Sequence, residues 1–166
     1  RVDFPEPYNG ASAELRISVN KNVLNYELEY FPGSCDLPGW VGVHTWFPRD
    51  IGNGVGKAEV IFDAEKMLKV DQTLMPDGDF IAPLTPQPWD DVFYKPKGIP
   101  TTLWKGGAKL EVTSPTPWWV VYTLDSEGVC IEPQTAPPNA QNLAEKLSLD
   151  LTKAHLLQAQ FTFSKG

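Results

Sequence analysis

His44, Glu132 and the adjacent pair Asp90-Asp91 are ionisable residues that interrupt apolar stretches of the sequence, and each is suited to acid–base or sugar chemistry. His44 lies in Trp40-Val41-Gly42-Val43-His44-Thr45-Trp46-Phe47, whose apolar and aromatic neighbours would desolvate it. A partly buried imidazole with a carboxylate close by still titrates near neutral pH and serves as a proton donor. Glu132 closes Gly128-Val129-Cys130-Ile131 and precedes Pro133. A carboxylate there is costly to bury unless it is paired or used, and burial raises its pKa towards the range of a general base. Asp90 and Asp91, between Trp89 and Val92-Phe93, suit hydrogen bonds to sugar hydroxyls. Read from residue types alone, a packing histidine, an exposed strand-end glutamate and a solvated turn remain open beside these readings.

The six Trp matter because aromatic faces stack on the C–H faces of sugar rings, although core packing is their commoner use. Trp46 and Trp89 flank the ionisable residues most closely. Other chemistries find less support. The run Gly52-Asn53-Gly54-Val55-Gly56 does not follow a strand and open a helix, so it reads as a turn and not as a phosphate loop. No G-x-S-x-G elbow occurs. A zinc site would draw on His44, His155, Cys35 and Cys130 at spacings that match no ordinary pattern, so no metal is expected.

A net charge of −7 with no cluster of Lys and Arg would repel a phosphate backbone, which argues against nucleic acid as a partner. The longest apolar run, 118–124, is far below the ~18 residues of a membrane span, so the chain reads as soluble. Cys35 and Cys130 form no C-x-x-C pair and read as buried reduced thiols, in keeping with a cytoplasmic setting.

The elements that must position these groups follow from period-two alternation. Leu15, Ile17 and Val19 alternate with polar residues, as do Leu24, Tyr26, Leu28 and Tyr30, predicting two half-buried strands joined through Asn20-Lys21-Asn22 as an antiparallel hairpin. Further strands are predicted over 57–62, 108–113, 118–124, 128–132, 146–151 and 156–163. The stretch 71–107, holding six Pro, reads as a long surface connection with a tight turn at Pro76-Asp77-Gly78. Residues 139–147 could form a turn or two of helix after Pro137-Pro138. The expected architecture is all-β, an antiparallel β-sandwich forming a single domain over 1–166.

At the same residues the sequence resembles the aldose 1-epimerase family of galactose mutarotase-like enzymes. Gly42-Val43-His44-Thr45-Trp46-Phe47 resembles the family's G-x-H-P-x-F motif, with Thr45 in place of Pro. Trp89-Asp90-Asp91-Val92-Phe93 is similar to its L-D-[HD]-x-F segment. The stretch from Cys130 through Glu132-Pro133 to Asn139-Ala140 is similar to its C-x-E-P-x-T-x-P-x-[DN]-A motif. The resemblance implies that Glu132 is the catalytic base, His44 the catalytic acid and Asp90 a ligand of the sugar hydroxyls; Trp46 and Trp89, as candidates for stacking on a sugar ring, complete the expected substrate-binding set. It implies interconversion of the α and β anomers of a monosaccharide, an aldohexose, without metal or organic cofactor. A non-catalytic carbohydrate-binding sandwich is the alternative, and a glycoside hydrolase using Glu132 and Asp90 a more distant one. The family takes a second His and an Arg from its amino-terminal half, and no residue here matches them. The chain is therefore expected to be the carboxy-terminal part of a mutarotase-like supersandwich, incomplete at the amino end. Association with a missing amino-terminal segment or a second chain is expected with it.

Overall fold

In the computed structural model, which describes residues 1–34 and 36–166, all but one of the predicted segments form strands and the intervening chain adds further ones. In chain order these are Val2–Asp3 (β1), Ser12–Asn20 (β2), Val23–Phe31 (β3), Trp46–Pro48 (β4), Ala58–Ile61 (β5), Ala64–Val70 (β6) and Pro76–Ile81 (β7). They continue with Asp90–Pro96 (β8), Thr101–Trp104 (β9), Ala108–Thr113 (β10), Trp118–Tyr122 (β11), Gly128–Gln134 (β12), the short helix Ala140–Leu143 (α1) and His155–Lys165 (β13). The strands form two antiparallel sheets, ordered β1-β2-β3-β13-β10-β9-β5 and β4-β12-β11-β8-β6-β7. The expected all-β sandwich is the fold observed.

The inner faces follow from strand parity. Met67, Phe93, Trp119, Val121, Val129 and Ile131 of the second sheet share one buried core with Leu110, Val112, Leu157, Ala159 and Phe161 of the first. Trp119 is 1% exposed and satisfies its indole N–H on the Thr116 carbonyl at 2.9 Å, so its area is buried without an orphaned donor. Arg49 ties the two layers, donating to the carbonyls of Thr123 at 2.8 Å and Ala58 at 3.3 Å.

The β2–β3 hairpin forms in the expected register, Leu15 opposite Leu28 and Ile17 opposite Tyr26. Its turn puts Lys21, not an Asn, at positive φ (54°), while Asn22 hydrogen-bonds Phe163 of β13 through its backbone and side chain. The expected burial differs more. Phe47 of β4, the edge of the second sheet, packs on Phe161 of β13, so among the described residues no strand lies opposite β2, and Leu15, Ile17 and Val19 are exposed.

The segment 71–107 is not one surface connection, because β7, β8 and β9 lie within it. Pro76 opens the sheet-edge strand β7, a position where a missing N–H breaks no ladder. Gly78 lies inside that strand. The tight turn comes earlier, where the Asp71 carboxylate accepts from the backbone N–H of Thr73 at 2.7 Å and of Met75 at 3.1 Å, with Leu74 at φ 61°. No strand forms over 146–151. Leu147 and Leu149 instead pack on Trp118 and Val92, and Leu151 joins Ala136 and Ala140, so the period-two leucines cover the outer face of the second sheet. Among the described residues no helix is long and apolar enough to cross a membrane. Cys130 is a buried free thiol, and Cys35 lies outside the described residues.

Candidate functional site

β12 carries Val129, Ile131 and Pro133 on the parity that faces the core and Cys130, Glu132 and Gln134 on the other. The chain ahead of β4 runs antiparallel beside it. Gly42 bridges Gln134 and Trp46 pairs with Cys130, a register that sets His44 across from Glu132. The backbone holds this arrangement closely. The Val43 N–H donates to the Pro133 carbonyl at 3.1 Å, and Thr135 and Val41 exchange backbone and hydroxyl hydrogen bonds. The Thr45 hydroxyl donates to the Ile131 carbonyl at 3.2 Å, a bond that proline at this position could not make. Glycine at position 42 leaves room for the Gln134 side chain, whose Cγ would stand 2.8 Å from a Cβ there.

His44 Nδ1 lies 2.9 Å from Glu132 Oε1; the imidazole is 66% exposed while the carboxylate is 6% exposed. The pair thus joins a buried carboxylate to a ring that solvent reaches. Burial pushes the Glu132 pKa up, with Asp90 adding to the rise. The His44 charge, the Cys130 thiol and the Gln134 amide act the other way. Burial beside Glu132 raises the Cys130 thiol to about 12, so the sulfur stays protonated and donates to the carboxylate.

A second cross-strand row, Trp46-Cys130-Tyr122-Asp90, lies next to this pair on the same face. Trp46 and Tyr122 meet edge to face above Cys130 with ring centroids 5.4 Å apart, and His44 stacks on Trp46 at 6.0 Å. Gly128 leaves room for the indole, since a Cβ there would stand 2.6 Å from Trp46 Cε3. The result is an open cleft of about 470 Å³ with His44, Glu132 and Gln134 on one side, Trp46 and Tyr122 as its aromatic wall, and Asp90 beyond.

Four of the five expected residues, Glu132, His44, Asp90 and Trp46, therefore come together. Trp89 does not. It is 5% exposed, packs on Phe93 with centroids 5.2 Å apart, and donates its indole N–H to the Thr85 carbonyl at 2.8 Å. One residue from Asp90, it points the opposite way, into the core. Asp91 also lies on that inner parity, where burial raises its pKa. His155 begins β13 in the other sheet, opposite Tyr30. Tyr122, Cys130 and Gln134 were not among the expected residues, although the last two stand two residues either side of Glu132.

No protein-family model and no curated protein matches the sequence. Among solved structures, the chain is similar to a galactose mutarotase-like protein from Clostridium acetobutylicum, with a TM-score of 0.79 and 15% sequence identity. The likeness covers 99% of this chain and 61% of that one, so the chain spans less than two thirds of that protein's length. At this identity the likeness is one of architecture, and it establishes that the chain has a galactose mutarotase-like β-sandwich fold.

Proposed function

We propose that the cleft interconverts the anomers of an aldose, as an aldose 1-epimerase does, with Glu132 as base and His44 as acid. The observation that carries the reading is the 2.9 Å contact between a buried carboxylate and an exposed imidazole, within a cleft walled by Trp46 and Tyr122. With Nδ1 held by Glu132, Nε2 is the ring nitrogen left for a substrate. A sugar ring lying on the aromatic wall would present its anomeric hydroxyl to Glu132 and its ring oxygen to Nε2.

Glu132 takes the proton of the anomeric hydroxyl as the His44 imidazolium gives its Nε2 proton to the ring oxygen. The bond between C1 and the ring oxygen breaks and the free aldehyde forms. Rotation about C1–C2 presents the other face of the carbonyl; the ring oxygen returns its proton to His44 as it attacks, and Glu132 returns its own to the new anomeric oxygen. No net proton is consumed. Charge complementarity supports the pairing, because the imidazolium stabilises the carboxylate that burial would otherwise neutralise. Asp90 is suited to hold sugar hydroxyls and fix the ring between the two groups. Among the described residues the cleft lining contains two carboxylates and no Lys or Arg, which supports an uncharged sugar over a phosphorylated one.

Polarimetry on freshly dissolved α-glucose and α-galactose, with parallel measurement of sugar binding, tests the proposal. The expected result is faster approach to anomeric equilibrium in proportion to protein concentration. Sugar binding with an unchanged rate would identify a non-catalytic carbohydrate-binding sandwich instead.

A further inference from the structure

The same patch of sheet brings together three side chains whose donor atoms suit a borderline-soft metal ion. His44, Cys130 and Glu132 each offer one ligand atom, and these atoms all lie within 4.8 Å of one another. Sequence spacing hides the set, because two ligands sit at i and i+2 on one strand while the third comes from a neighbouring segment 86 residues earlier. A zinc ion with Zn–S of about 2.3 Å and Zn–N of about 2.0 Å separates such ligands by roughly 3.6 Å when tetrahedral. Closing the set therefore takes movements of about 1 Å, and the exposed imidazole is free to make them, being 66% exposed. Two of the three, His44 and Glu132, line the open cleft, and Cys130 is buried beside them.

We propose that His44 Nδ1, Cys130 Sγ and a Glu132 carboxylate oxygen form a binding site for a thiophilic divalent cation such as Zn²⁺. Binding releases the thiol proton to solvent, leaving a thiolate, a neutral imidazole and a carboxylate as ligands. Nitrogen, sulfur and carboxylate donors together select zinc or cobalt over calcium or magnesium, which take all-oxygen sets. The ion would occupy the space between acid and base and so exclude their use on a sugar. The site itself does not depend on that use, and metal binding is expected whether or not anomer exchange is found.

Titration of the chain with Co²⁺ alone, followed by near-ultraviolet and visible absorption, reads this directly. The expected result is a thiolate-to-cobalt charge-transfer band with the intense visible transitions of a tetrahedral ion, both displaced by Zn²⁺. Cys130→Ser should abolish the band and Cys35→Ser should retain it. His44→Asn should weaken Co²⁺ binding at least about tenfold, the scale on which losing one supporting group alters metal affinity. Because Cys130 is fully buried, His44→Asn at an exposed side chain carries the test if the serine variant does not fold. Absence of a thiolate band, or a His44→Asn variant that binds Co²⁺ as tightly as its parent, would overturn the proposal.

Discussion

Glu132→Gln should make the protein more stable relative to its parent as pH rises. The carboxylate is 6% exposed, and burial raises its pKa despite three favourable neighbours, His44, Cys130 and Gln134. The folded state therefore binds the Glu132 proton more tightly than the unfolded chain does. That contribution to stability is fully present below the unfolded carboxylate value and is lost as pH rises through the raised folded value. An amide imitates the protonated side chain and does not ionise, so it escapes the loss. Each tenfold weakening of the acid on folding corresponds to ~1.4 kcal/mol, and ~1 kcal/mol shifts Tm by ~2–4 °C in a domain of this size. The Tm difference, variant minus parent, should thus grow by several degrees between about pH 4 and about pH 8. Comparing the two conditions cancels the pH-independent effect of replacing a carboxyl by an amide. Thermal unfolding followed by circular dichroism is the assay. A Tm difference that is flat with pH, or that falls as pH rises, would refute the claim that burial outweighs the imidazole contact.

Three further outcomes separate binding from support. Trp46→Ala, removing one side of the aromatic wall, should weaken sugar binding about tenfold, or ~1.4 kcal/mol, as read by isothermal titration. Trp89→Ala should cost ~3–5 kcal/mol in urea unfolding because it empties a core site, while the fraction that remains folded keeps the parent's sugar affinity. Asp90→Asn should raise KM by ~10–100-fold, the scale of a lost hydrogen bond to a charged group, without altering the urea midpoint by a comparable amount.

Strand parity explains which parts of the site were legible. Cys130-Ile131-Glu132-Pro133-Gln134 alternates visibly, so a carboxylate on the non-core face of β12 can be read from the sequence. The same rule forbids Trp89 and Asp90 from sharing a face, a constraint hidden as long as 71–107 is taken for loop. Tyr122 was obscured differently. The run Trp118-Trp119-Val120-Val121-Tyr122 is apolar on both faces, because Trp118 packs with Leu147 and Leu149 and Val120 lines the cleft while Trp119 and Val121 enter the core. No alternation remains in such a run to mark which aromatic faces the cleft. β2 fails in the opposite sense. Alternation there identifies an apolar face correctly, but a pattern within one strand carries no information about whether another sheet lies over it. The pairing of His44 with Glu132 depends on a register between distant segments, which only the folded backbone provides.

The central claim is that His44 and Glu132 act as one acid–base unit on a sugar. The most direct test is a double-mutant cycle on the anomer-exchange rate, using Glu132→Gln, His44→Gln and the double variant, each confirmed folded by circular dichroism. Each single substitution should lower the rate by ~10²–10⁴-fold. The double variant should be little slower than the worse single, because neither group works without the other. Rates that stay at the parent's value in Glu132→Gln, or losses that simply multiply in the double variant, would contradict the account.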